Sequence, residues 1–576
     1  MRKPKVLIAN RGEIAVRIIR TCREMGIPSV AVYSDADRDA LHVELADEAY
    51  HIGPALAADS YLSIGALLEA ARKSKSTLVH PGYGFLSERA HFAQAVGENG
   101  YTFVGPPPEA IERMGDKMAA RRAAEHAGVP IIPGTVEPVD EKIALKEAKR
   151  VGYPMAIKAA FGGGGRGMRV VRAKQELEEA ISGAAREAQA YFGRPEVYME
   201  RYIDRAHHVE AQIVADTFGN VFFLGERDCS LQRRHQKLVE ETPSPVVDEA
   251  LRTRMGEAAI ALAKESNYTS TGTVECIADE DGNFYFLEMN TRLQVEHTVT
   301  EMVTGIDLVA AQIRVALGEE LDLSGATPRG HAIQCRLNAE DATKGFQPTP
   351  GYIANYREPG GPFVRVDSGV AAGKEVSPDY DSMFAKLVAW GEDRENARSR
   401  MLRALGEFHI DGIPTTIPFH QWVLDTPEFI GARHTTTWVE AALAETPLPP
   451  RESIIVGPIK GPKDAVPDEI VVEVNSRRVP VRIFDRRLKT APPPPAKHVS
   501  RHGEHVHGVI ASPMQGTILK VLVESGQEIV AGDVICILEA MKMENHIAAT
   551  LDGTVSELPI KPGMVVDTNQ TLAVID

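Results

Sequence analysis

The stretch FYFLEMNTRLQVEH, residues 284–297, decides the fold of the middle of this chain. Its first four residues have the aromatic and aliphatic composition of a buried β-strand. Polar residues then recur at every second position: Glu288, Asn290, Arg292, Gln294 and Glu296. If the segment stays extended, this alternation places all five side chains on one face of a sheet. Exposed strand charges are the alternative, but five alternating polar residues beside a buried strand favour a binding face.

A further acidic residue, Glu275, lies in the apolar run from Gly272 to Ile277, which predicts a strand beside the first one. Glu275, Glu288 and Asn290 together offer two carboxylates and an amide. These are hard oxygen ligands, which suit Mg²⁺ carrying a nucleotide phosphate. The sequence therefore predicts a Mg²⁺ site on this face, at which Mn²⁺ is expected to substitute.

A glycine-rich segment, FGGGGRGMR at residues 161–169, follows the apolar strand from Pro154 to Lys158. Four consecutive glycines offer backbone N–H groups to a polyphosphate without side chains in the way. Lys158 before the glycines and Arg166 among them add positive charge. A merely flexible loop is the alternative, but the charges favour a mobile lid that excludes water from phosphoryl transfer.

The end of the chain contains a repeat. The segments Gly516 to Glu539 and Gly553 to Asp576 follow one pattern at a shift of 37 positions, and each has a central glycine and a closing apolar run. This spacing predicts two similar β-units that fold as a sandwich, with Lys542 of the run EAMKMEN (539–545) in the connection. A turn lysine is usually just a solvated charge. The two flanking methionines favour a recognition surface instead, and with it a swinging arm.

Composition limits the function. With 43% apolar and 25% charged residues, the 576-residue chain fits a globular protein of about four domains. The formal charge of −16 argues against nucleic acid or an anionic membrane as a partner. Five scattered cysteines without metal-ligand spacing predict reduced thiols. The first residues carry too short an apolar run for a secretory signal, and no stretch approaches membrane-spanning length, so we expect a cytoplasmic protein.

Apolar runs and helical periodicity near the start predict a βαβ unit and a parallel sheet, without the GxGxxG pattern of dinucleotide binding. Further on, EIVVEVNSRRVPVRIF (469–484) alternates like a hairpin that turns at Asn475-Ser476, between two proline-rich linkers. We predict five segments: 1–114, a Rossmann-like domain; 115–330, the section with the glycine-rich lid; 331–447, an α+β domain; 448–504, a linker with the hairpin; and 505–576, the carrier repeat.

Several strings of this sequence resemble, in order, the motifs of the biotin carboxylase family of ATP-grasp ligases. They are IANRGEIA, HPGYGFLSE, MGDK, KAAFGGGGRGM, ERDCSLQRRHQK, EMNTRLQVEH, CRLNAED and PDYDSM, within residues 1 to about 446. The AMKM string resembles biotinyl carrier domains, in which a biotin protein ligase attaches biotin to the lysine; lipoyl domains usually have Asp-Lys-Ala there. The whole chain is similar to acyl-CoA carboxylase α subunits. The fold implied is a Rossmann-like domain, an ATP-grasp domain and an α+β domain, followed by an all-β barrel-sandwich domain.

The resemblance also implies roles for single residues. ATP would be bound by Lys117, Lys158, Gly163, Gly164, Gly165, His208, His235, Gln236 and Lys237, with Glu200 and Arg201 at the adenine. Bicarbonate would be bound by Arg292, Gln294 and the backbone of Val295 and deprotonated by Glu296, while Lys237 helps to hold the anion, Arg336 stabilises the biotin enolate and Lys542 carries biotin. Taken alone, His208 and Arg336 would be structural residues. Thr298 departs from the pattern, because many relatives have proline there, but we expect it to touch no reacting group.

The implied function is ATP- and bicarbonate-dependent carboxylation of biotin on Lys542. A separate carboxyltransferase β subunit would complete acyl-CoA carboxylation, and the carboxylase part would form homo-oligomers. A biotin carboxylase subunit of a split pyruvate or urea carboxylase is the main alternative. A carboxylate–amine ligase would need no AMKM lysine, and a non-catalytic biotin carrier would not need the face from Glu288 to Glu296. The hairpin would be a docking element for the partner or only a spacer.

Overall fold

The chain forms two compact units, Met1–Leu448 and Pro449–Asp576. A computed structural model describes residues 3–135, 137–160, 168–192, 194–446, 448, 468–474, 477–483, 508–512, 516–540, 543–567 and 570–576. The glycines predicted to form the lid, the turn at Asn475-Ser476 and Lys542 lie outside the described residues. Within the described part, none of the helices has the length and apolar character needed to cross a bilayer.

The first unit begins with a parallel sheet. Its strands are β1 (Val6–Ile8), β2 (Ser29–Ser34), β3 (Glu48–Gly53), β4 (Leu78–His80) and β5 (Thr102–Phe103), and its helices are α1 (Gly12–Glu24), α2 (Leu41–Leu45), α3 (Ile64–Ser74), α4 (Ala90–Glu98) and α5 (Pro108–Gly115). The strand order is β3-β2-β1-β4-β5. All three residues of β1 are fully buried, as a central parallel strand covered on both faces requires. The predicted βαβ unit is confirmed.

A small antiparallel sheet follows, in the order β7-β6-β8. Its strands are β6 (Met155–Ala159), β7 (Arg169–Val171) and β8 (Val197–Arg201), and the helices of this section are α6 (Lys117–His126), α7 (Glu141–Val151) and α8 (Leu177–Phe192). The chain that joins β6 to β7 is the predicted glycine-rich lid. Met155, Ile157 and Met199 are completely buried in the core beneath this sheet, so the strand that precedes the glycine-rich segment is firmly packed.

The largest sheet has eight strands in the order β13-β12-β9-β10-β11-β14-β21-β19. These strands are β9 (His207–Ala215), β10 (Val221–Arg233), β11 (Gln236–Thr242), β12 (Ser270–Ala278), β13 (Phe284–Asn290), β14 (His331–Asn338), β19 (Val364–Ser368) and β21 (Met383–Gly391). The sheet runs without a break across the predicted boundary at residue 330. Strands from the middle and the third predicted segments therefore hold side chains in fixed register.

Helices and short strands complete the first unit. The helices are α9 (Glu249–Glu265), α10 (His297–Thr304), α11 (Leu308–Ala316), α12 (Arg394–Glu407), α13 (Ile417–Leu424), α14 (Pro427–Ile430) and α15 (Trp438–Glu445). The short strands are β15 (Glu340–Asp341), β16 (Gln347–Pro348), β17 (Gly351–Tyr352), β18 (Asn355–Arg357), β20 (Glu375–Val376) and β22 (His409–Asp411). All five cysteines, each of which lies in a described part of the chain, are free and buried.

In the second unit, β23 (Asp468–Val474) and β24 (Arg477–Ile483) pair in antiparallel fashion, which confirms the predicted hairpin. The carrier strands are β25 (Val509–Ala511), β26 (Gly516–Val521), β27 (Glu528–Ile529), β28 (Val534–Ala540), β29 (Met543–Ala548), β30 (Gly553–Glu557), β31 (Val565–Val566) and β32 (Thr571–Ile575). They form two four-stranded sheets, β25-β32-β30-β27 and β29-β28-β26-β31. The predicted β-sandwich is therefore confirmed.

The 37-residue repeat is visible in the core of the carrier. Ile518 and Val555, which are equivalent under the shift, are both fully buried, and so are Ile535 and Leu572. The central glycines, Gly526 and Gly563, both have positive φ, 90° and 83°, a conformation that glycine adopts without steric cost. The same buried positions and the same turns thus occur twice.

Candidate active site

A cavity of about 350 Å³ lies at the large sheet, next to β6. It is lined by Lys117, Lys158, Ala159, Met168, His208, Gln232, His235, Gln236, Lys237, Glu275, Leu287, Glu288, Arg292, Gln294, Val295, Glu296 and Arg336. Most of the predicted site residues are in this lining. Asn290 and Glu200 are not in the lining, but Asn290 donates to Glu275 and Glu200 accepts from Lys158, and both of these partners line the cavity. Arg201 is exposed at the end of β8 and does not line the cavity.

The segment from 284 to 297 does not stay extended to its end. Strand β13 stops at Asn290, and α10 begins at His297. Burial lowers the pKa of His297 well below its usual value, so its ring is neutral. The Nδ1–H of this ring donates to the Gln294 carbonyl oxygen at 2.7 Å. The Val295 carbonyl oxygen accepts from Lys386 Nζ at 3.2 Å. A loop fixed by these contacts, rather than an alternating strand, therefore presents Arg292, Gln294, Val295 and Glu296 to the cavity.

Glu296 is held between two cations on the cavity wall. Its Oε1 accepts from Lys237 Nζ at 2.6 Å, and its Oε2 accepts from Arg336 Nη2 at 3.0 Å. The residue is only 2% exposed. Burial alone would raise the pKa of Glu296, but Lys237 and Arg336 outweigh it and keep the pKa below its ordinary value. Glu296 is therefore an ionised carboxylate at neutral pH.

Lys237 is shared by three carboxylates. Besides Glu296, its Nζ donates to Glu210 Oε2 at 2.7 Å and to Glu275 Oε1 at 2.9 Å. Burial acts to lower the pKa of Lys237, but these three acids raise it well above its ordinary value. A single buried ammonium group thus offsets part of the charge of a strongly acidic cluster.

The predicted metal ligands meet across two neighbouring strands. Glu275 on β12 lies directly opposite Glu288 on β13, and Asn290 Nδ2 donates to Glu275 Oε1 at 2.8 Å. Burial and the adjacent Glu275 raise the pKa of Glu288 above its usual range. Facing carboxylates in a buried setting repel each other, and a divalent cation would relieve that repulsion. The donor set and its electrostatics therefore fit Mg²⁺.

Arg292 and Gln294 are oriented by hydrogen bonds and an ion pair from several parts of the chain. The guanidinium of Arg292 is held by Glu88 at 3.1 Å and by the Asn290 Oδ1 at 2.9 Å. Arg227 Nη2 donates to Gln294 Oε1 at 2.6 Å. The NH₂ group of Gln294 consequently points away from Arg227 and donates to Glu275 Oε1 at 2.7 Å. Arg227 therefore fixes which end of the Gln294 amide faces the site.

Further basic side chains line the same cavity. Lys158 Nζ donates to Glu200 Oε1 at 2.5 Å, and Glu200 is also paired with Arg121 at 3.1 Å. Burial would raise the pKa of Glu200, but these two cations lower it. The Nε2 of His208 lies 3.1 Å from Glu275 Oε2, and although burial opposes it, Glu275 raises the pKa of His208. The positive charges of Lys158 and His208 therefore suit an anionic ligand.

Sequence reasoning missed several buried residues that organise the site, above all Glu210, Arg227 and Glu240. Glu210 lies two residues after His208 on β9, so strand alternation alone would have placed both side chains on the same face. Arg227 makes hydrogen bonds to five side chains: Glu210, Gln212, Thr273, Gln294 and Thr300. Its partners are far apart in sequence, and no local pattern would have found them.

Comparison with known proteins agrees with this architecture. Residues 2–111 and 334–441 match the models of the biotin carboxylase N-terminal and C-terminal domains. Residues 116–324 match the carbamoyl-phosphate synthase L chain ATP-binding domain, and residues 508–575 match the biotin-requiring enzyme model. The fold and the site thus define an ATP-dependent ligase with a carrier domain on the same chain.

The similarity extends along the full length. The chain is 46% identical to the biotin-dependent acyl-coenzyme A carboxylase alpha3 subunit of Mycobacterium leprae, over 99% of this chain and 98% of that protein. The biotin carboxylase of Campylobacter jejuni, solved with a β,γ-ATP ligand, covers 76% of this chain with 98% of its own length, at 47% identity and a TM-score of 0.74. The corresponding domain of the Hydrogenobacter thermophilus 2-oxoglutarate carboxylase, solved with MgADP and bicarbonate, covers 76% of this chain with 97% of its own length, at 46% identity and a TM-score of 0.72.

The chain belongs to the biotin carboxylase family, in the form that carries its biotinyl domain on the same polypeptide. It is an ATP-grasp ligase whose cofactors are biotin, ATP and Mg²⁺. The fold and the family expected from the sequence are confirmed.

Proposed function

We propose that this chain uses ATP and bicarbonate to carboxylate biotin on its own Lys542, as the first half-reaction of an acyl-CoA carboxylase. The observation that carries the proposal is the buried carboxylate of Glu296, kept ionised between Lys237 and Arg336 on the cavity wall. A base in that position, beside an anion-binding arginine and a nucleotide-type cavity, supports the deprotonation of bicarbonate. The full-length match to an acyl-CoA carboxylase α subunit supports the choice of acceptor.

ATP would occupy the basic side of the cavity. The proposed contacts are Lys117, Lys158, His208, His235, Gln236 and Lys237, together with the glycines Gly163 to Gly165 of the lid. Glu200 and Arg201 would lie at the adenine, although Arg201 contributes no cavity surface and would act through its backbone. Lys158 would exchange its bond to Glu200 for a bond to phosphate. The lid would keep water from the reactive product.

Mg²⁺ would be held by Glu275, Glu288 and Asn290, and Mn²⁺ would substitute because it prefers the same oxygen ligands. When bound, the ion supplies positive charge against the phosphate oxygens.

Bicarbonate would lie between Arg292, the Gln294 amide and the Val295 backbone N–H. Glu296 would take its proton as the bicarbonate oxygen attacks the γ-phosphorus of ATP, which gives carboxyphosphate and ADP. A protonated Glu296 no longer neutralises Lys237 and Arg336. Both cations would then be available to the new anion, so that the proton transfer and the electrostatic stabilisation are linked.

Biotin attached to Lys542 would supply a ureido nitrogen as the acceptor of the carboxyl group. Carboxyphosphate would break down to CO₂ and phosphate, and the phosphate would take the proton of that nitrogen. Arg336 would hold the negative oxygen that develops on the ureido group. Its guanidinium is already fixed by Glu240 at 2.5 Å and Glu296 at 3.0 Å. On the carrier, Ala540 pairs with Met543 across β28 and β29, so the two residues between them link adjacent antiparallel strands.

Lys542→Arg tests the carrier assignment. Arginine keeps the positive charge but is not a biotinylation substrate, so the variant should lose its signal on a streptavidin blot. It should also lose self-carboxylation completely, because no acceptor is attached. Bicarbonate-stimulated ATP cleavage should persist near the wild-type rate, since Lys542 belongs to the other compact unit. A biotinylated Lys542→Arg protein would contradict the assignment, and wild-type protein without bicarbonate-stimulated ATPase activity would contradict the proposed enzyme.

The acceptor depends on a partner protein. Carboxylase parts of similar identity occur with other acceptors, as the 2-oxoglutarate enzyme illustrates, so the full-length match carries the acyl-CoA assignment. Split pyruvate or urea carboxylation remains the alternative. Co-purification of the carboxyltransferase β subunit, followed by assays with acetyl-CoA, propionyl-CoA, longer acyl-CoAs, pyruvate and urea, distinguishes them. Carboxylation of pyruvate or urea alone would overturn the acyl-CoA proposal.

We also propose that the hairpin of β23 and β24 docks the carboxyltransferase. Deletion of residues 469–484 should prevent co-purification of that subunit, while biotin carboxylation by the remaining chain stays intact. Size-exclusion chromatography with a biotin carboxylation assay measures both. An unchanged complex after the deletion would make the hairpin a spacer. The domain division, biotin protein ligase as a partner, homo-oligomer formation and the cytoplasmic location stay predictions.

A further inference from the structure

Thr298, the residue that departs from the family pattern, begins a buried chain of hydrogen bonds. It is the second residue of α10 and is fully buried. Its hydroxyl group donates to Oε1 of Gln334 on β14. In the described part of the chain, no hydrogen bond joins the Thr298 side chain to a predicted site residue. Gln334 Nε2, however, donates to Glu240 Oε2 at 2.9 Å and carries the connection towards the cavity.

Glu240 links this chain of hydrogen bonds to the active site. Its other oxygen, Oε1, accepts from Arg336 Nε at 2.5 Å, and Arg336 Nη2 donates to Glu296 Oε2 at 3.0 Å. The register of the sheet fixes this arrangement, because Glu240 on β11 lies opposite Gln334 on β14. Arg336 follows Gln334 by two residues and therefore projects from the same face.

The Gln334 amide has two possible orientations, and its neighbours select one. With its NH₂ group towards Glu240, it donates to the carboxylate; the reverse would place two acceptors against each other. The Thr298 hydroxyl satisfies the amide oxygen at the opposite end. Proline or valine at position 298 would leave that oxygen buried without a donor, which costs about as much as a lost buried hydrogen bond.

The charge state of Glu240 depends on the same contacts. Burial raises the pKa of Glu240 above its ordinary value, while Arg336 and the hydrogen bond from Gln334 act in the opposite direction. Gln334 and Glu240 are both fully buried, so water does not replace a lost partner. Loss of the hydrogen bond from Gln334 would therefore raise the pKa of Glu240 further and weaken the negative charge that holds Nε of Arg336.

We propose that Thr298, Gln334 and Glu240 are positioning residues for Arg336 and fix the angle at which its guanidinium meets the biotin ureido oxygen. This inference rests on the function proposed above. Among the residues that the structure describes, no hydrogen bond joins Thr298, Gln334 or Glu240 to Arg292 or to the residues proposed to bind ATP. Replacing Thr298, Gln334 or Glu240 should therefore lower the carboxylation of biotin more than the cleavage of ATP with bicarbonate, which Arg336 influences only through its bond to Glu296.

Thr298→Val and Thr298→Ser in the full-length protein test this relay, the chain of hydrogen bonds from Thr298 through Gln334 and Glu240 to Arg336. Valine keeps the volume without the hydroxyl, and serine keeps the hydroxyl. With free biotin as the acceptor, the kcat of carboxylation should fall about fivefold to tenfold in Thr298→Val. Its bicarbonate-dependent ATP cleavage should fall clearly less than this kcat, its KM for ATP should match the wild type, and Thr298→Ser should restore the kcat. Glu240→Gln, which keeps the shape and removes the charge, should lower the same kcat more than tenfold.

Thr304→Val provides the matched control. The Thr304 hydroxyl lies on the same helix and donates to the Thr300 carbonyl oxygen at 2.7 Å, without a path to Arg336. Its variant should carboxylate biotin like the wild type. Equal rates in Thr298→Val and Thr304→Val would overturn the relay, as would a parallel fall of both activities in Glu240→Gln. If Thr298→Val does not fold, the ratio of the two activities in Glu240→Gln decides the question. A wild type without either activity would overturn the proposed function itself.

Discussion

Replacing Glu296 with glutamine is expected to abolish bicarbonate-dependent ATP cleavage and to leave ATP binding largely intact. Glutamine keeps the shape of the side chain, and its amide oxygen can still accept from Lys237 or Arg336, but it cannot take up the proton of bicarbonate. General-base catalysis contributes on the order of 10²- to 10⁴-fold, so we expect a loss of that size. ADP release with and without bicarbonate, together with nucleotide titration calorimetry, measures the two parts of the prediction.

Glu241 supplies the control for this experiment. Like Glu296 it is only 2% exposed, and it is paired with Arg394 at 2.6 Å and with His331 at 2.7 Å, but it does not line the cavity. Glu241→Gln should lower the stability of the protein without lowering ATP cleavage per folded molecule. Loss of nucleotide binding in Glu296→Gln would contradict the assignment of Glu296 as the base, and so would an unchanged rate.

The alternation after Phe284 predicted an extended strand with Glu288 and Asn290 on one face, and both residues do lie within β13. It failed beyond Asn290, where the chain leaves the sheet and a loop is held by His297 and Lys386. Those two contacts are made across the fold, and periodicity carries no information about them. Arg292, Gln294 and Glu296 still line one cavity. The contacts that place them there cannot be predicted from the alternating pattern.

Register explains a second difference. The sequence predicted that the strands of Glu275 and Glu288 are neighbours, but not that these two acids lie directly opposite each other. Strand register is set by the packing of the whole sheet and by turns far from the site. The carrier was easier to predict, because its repeat places the core positions Ile518 and Val555 at equal points of two copies.

Lys237 forms ion pairs with three carboxylates of the active site. Glu210, Glu275 and Glu296 all lie within 2.9 Å of its ammonium group. Burial alone would raise the pKa values of the three acids. All three pKa values nevertheless lie below the ordinary 4.5, and Lys237 makes the largest lowering contribution to each of them. An acid with a lowered folded pKa contributes stability above its unfolded pKa and loses that contribution as the pH falls through the folded pKa. The stabilisation by Lys237 is therefore fully present at neutral pH and fades below about pH 4.5.

Lys237→Met should accordingly cost about 3–5 kcal/mol of unfolding free energy at pH 7, because it leaves three buried carboxylates without their shared cation. Without Lys237 the folded pKa values of these acids rise, so the gap to the wild type should narrow as the pH falls towards 4.5. Urea denaturation across this range, with ATP cleavage assayed at pH 7, measures the stability gap and the expected loss of catalysis. Lys237→Arg keeps the charge and should keep most of the stability at every pH. A deficit in Lys237→Met that does not vary with pH would mean that packing, rather than charge, makes Lys237 necessary.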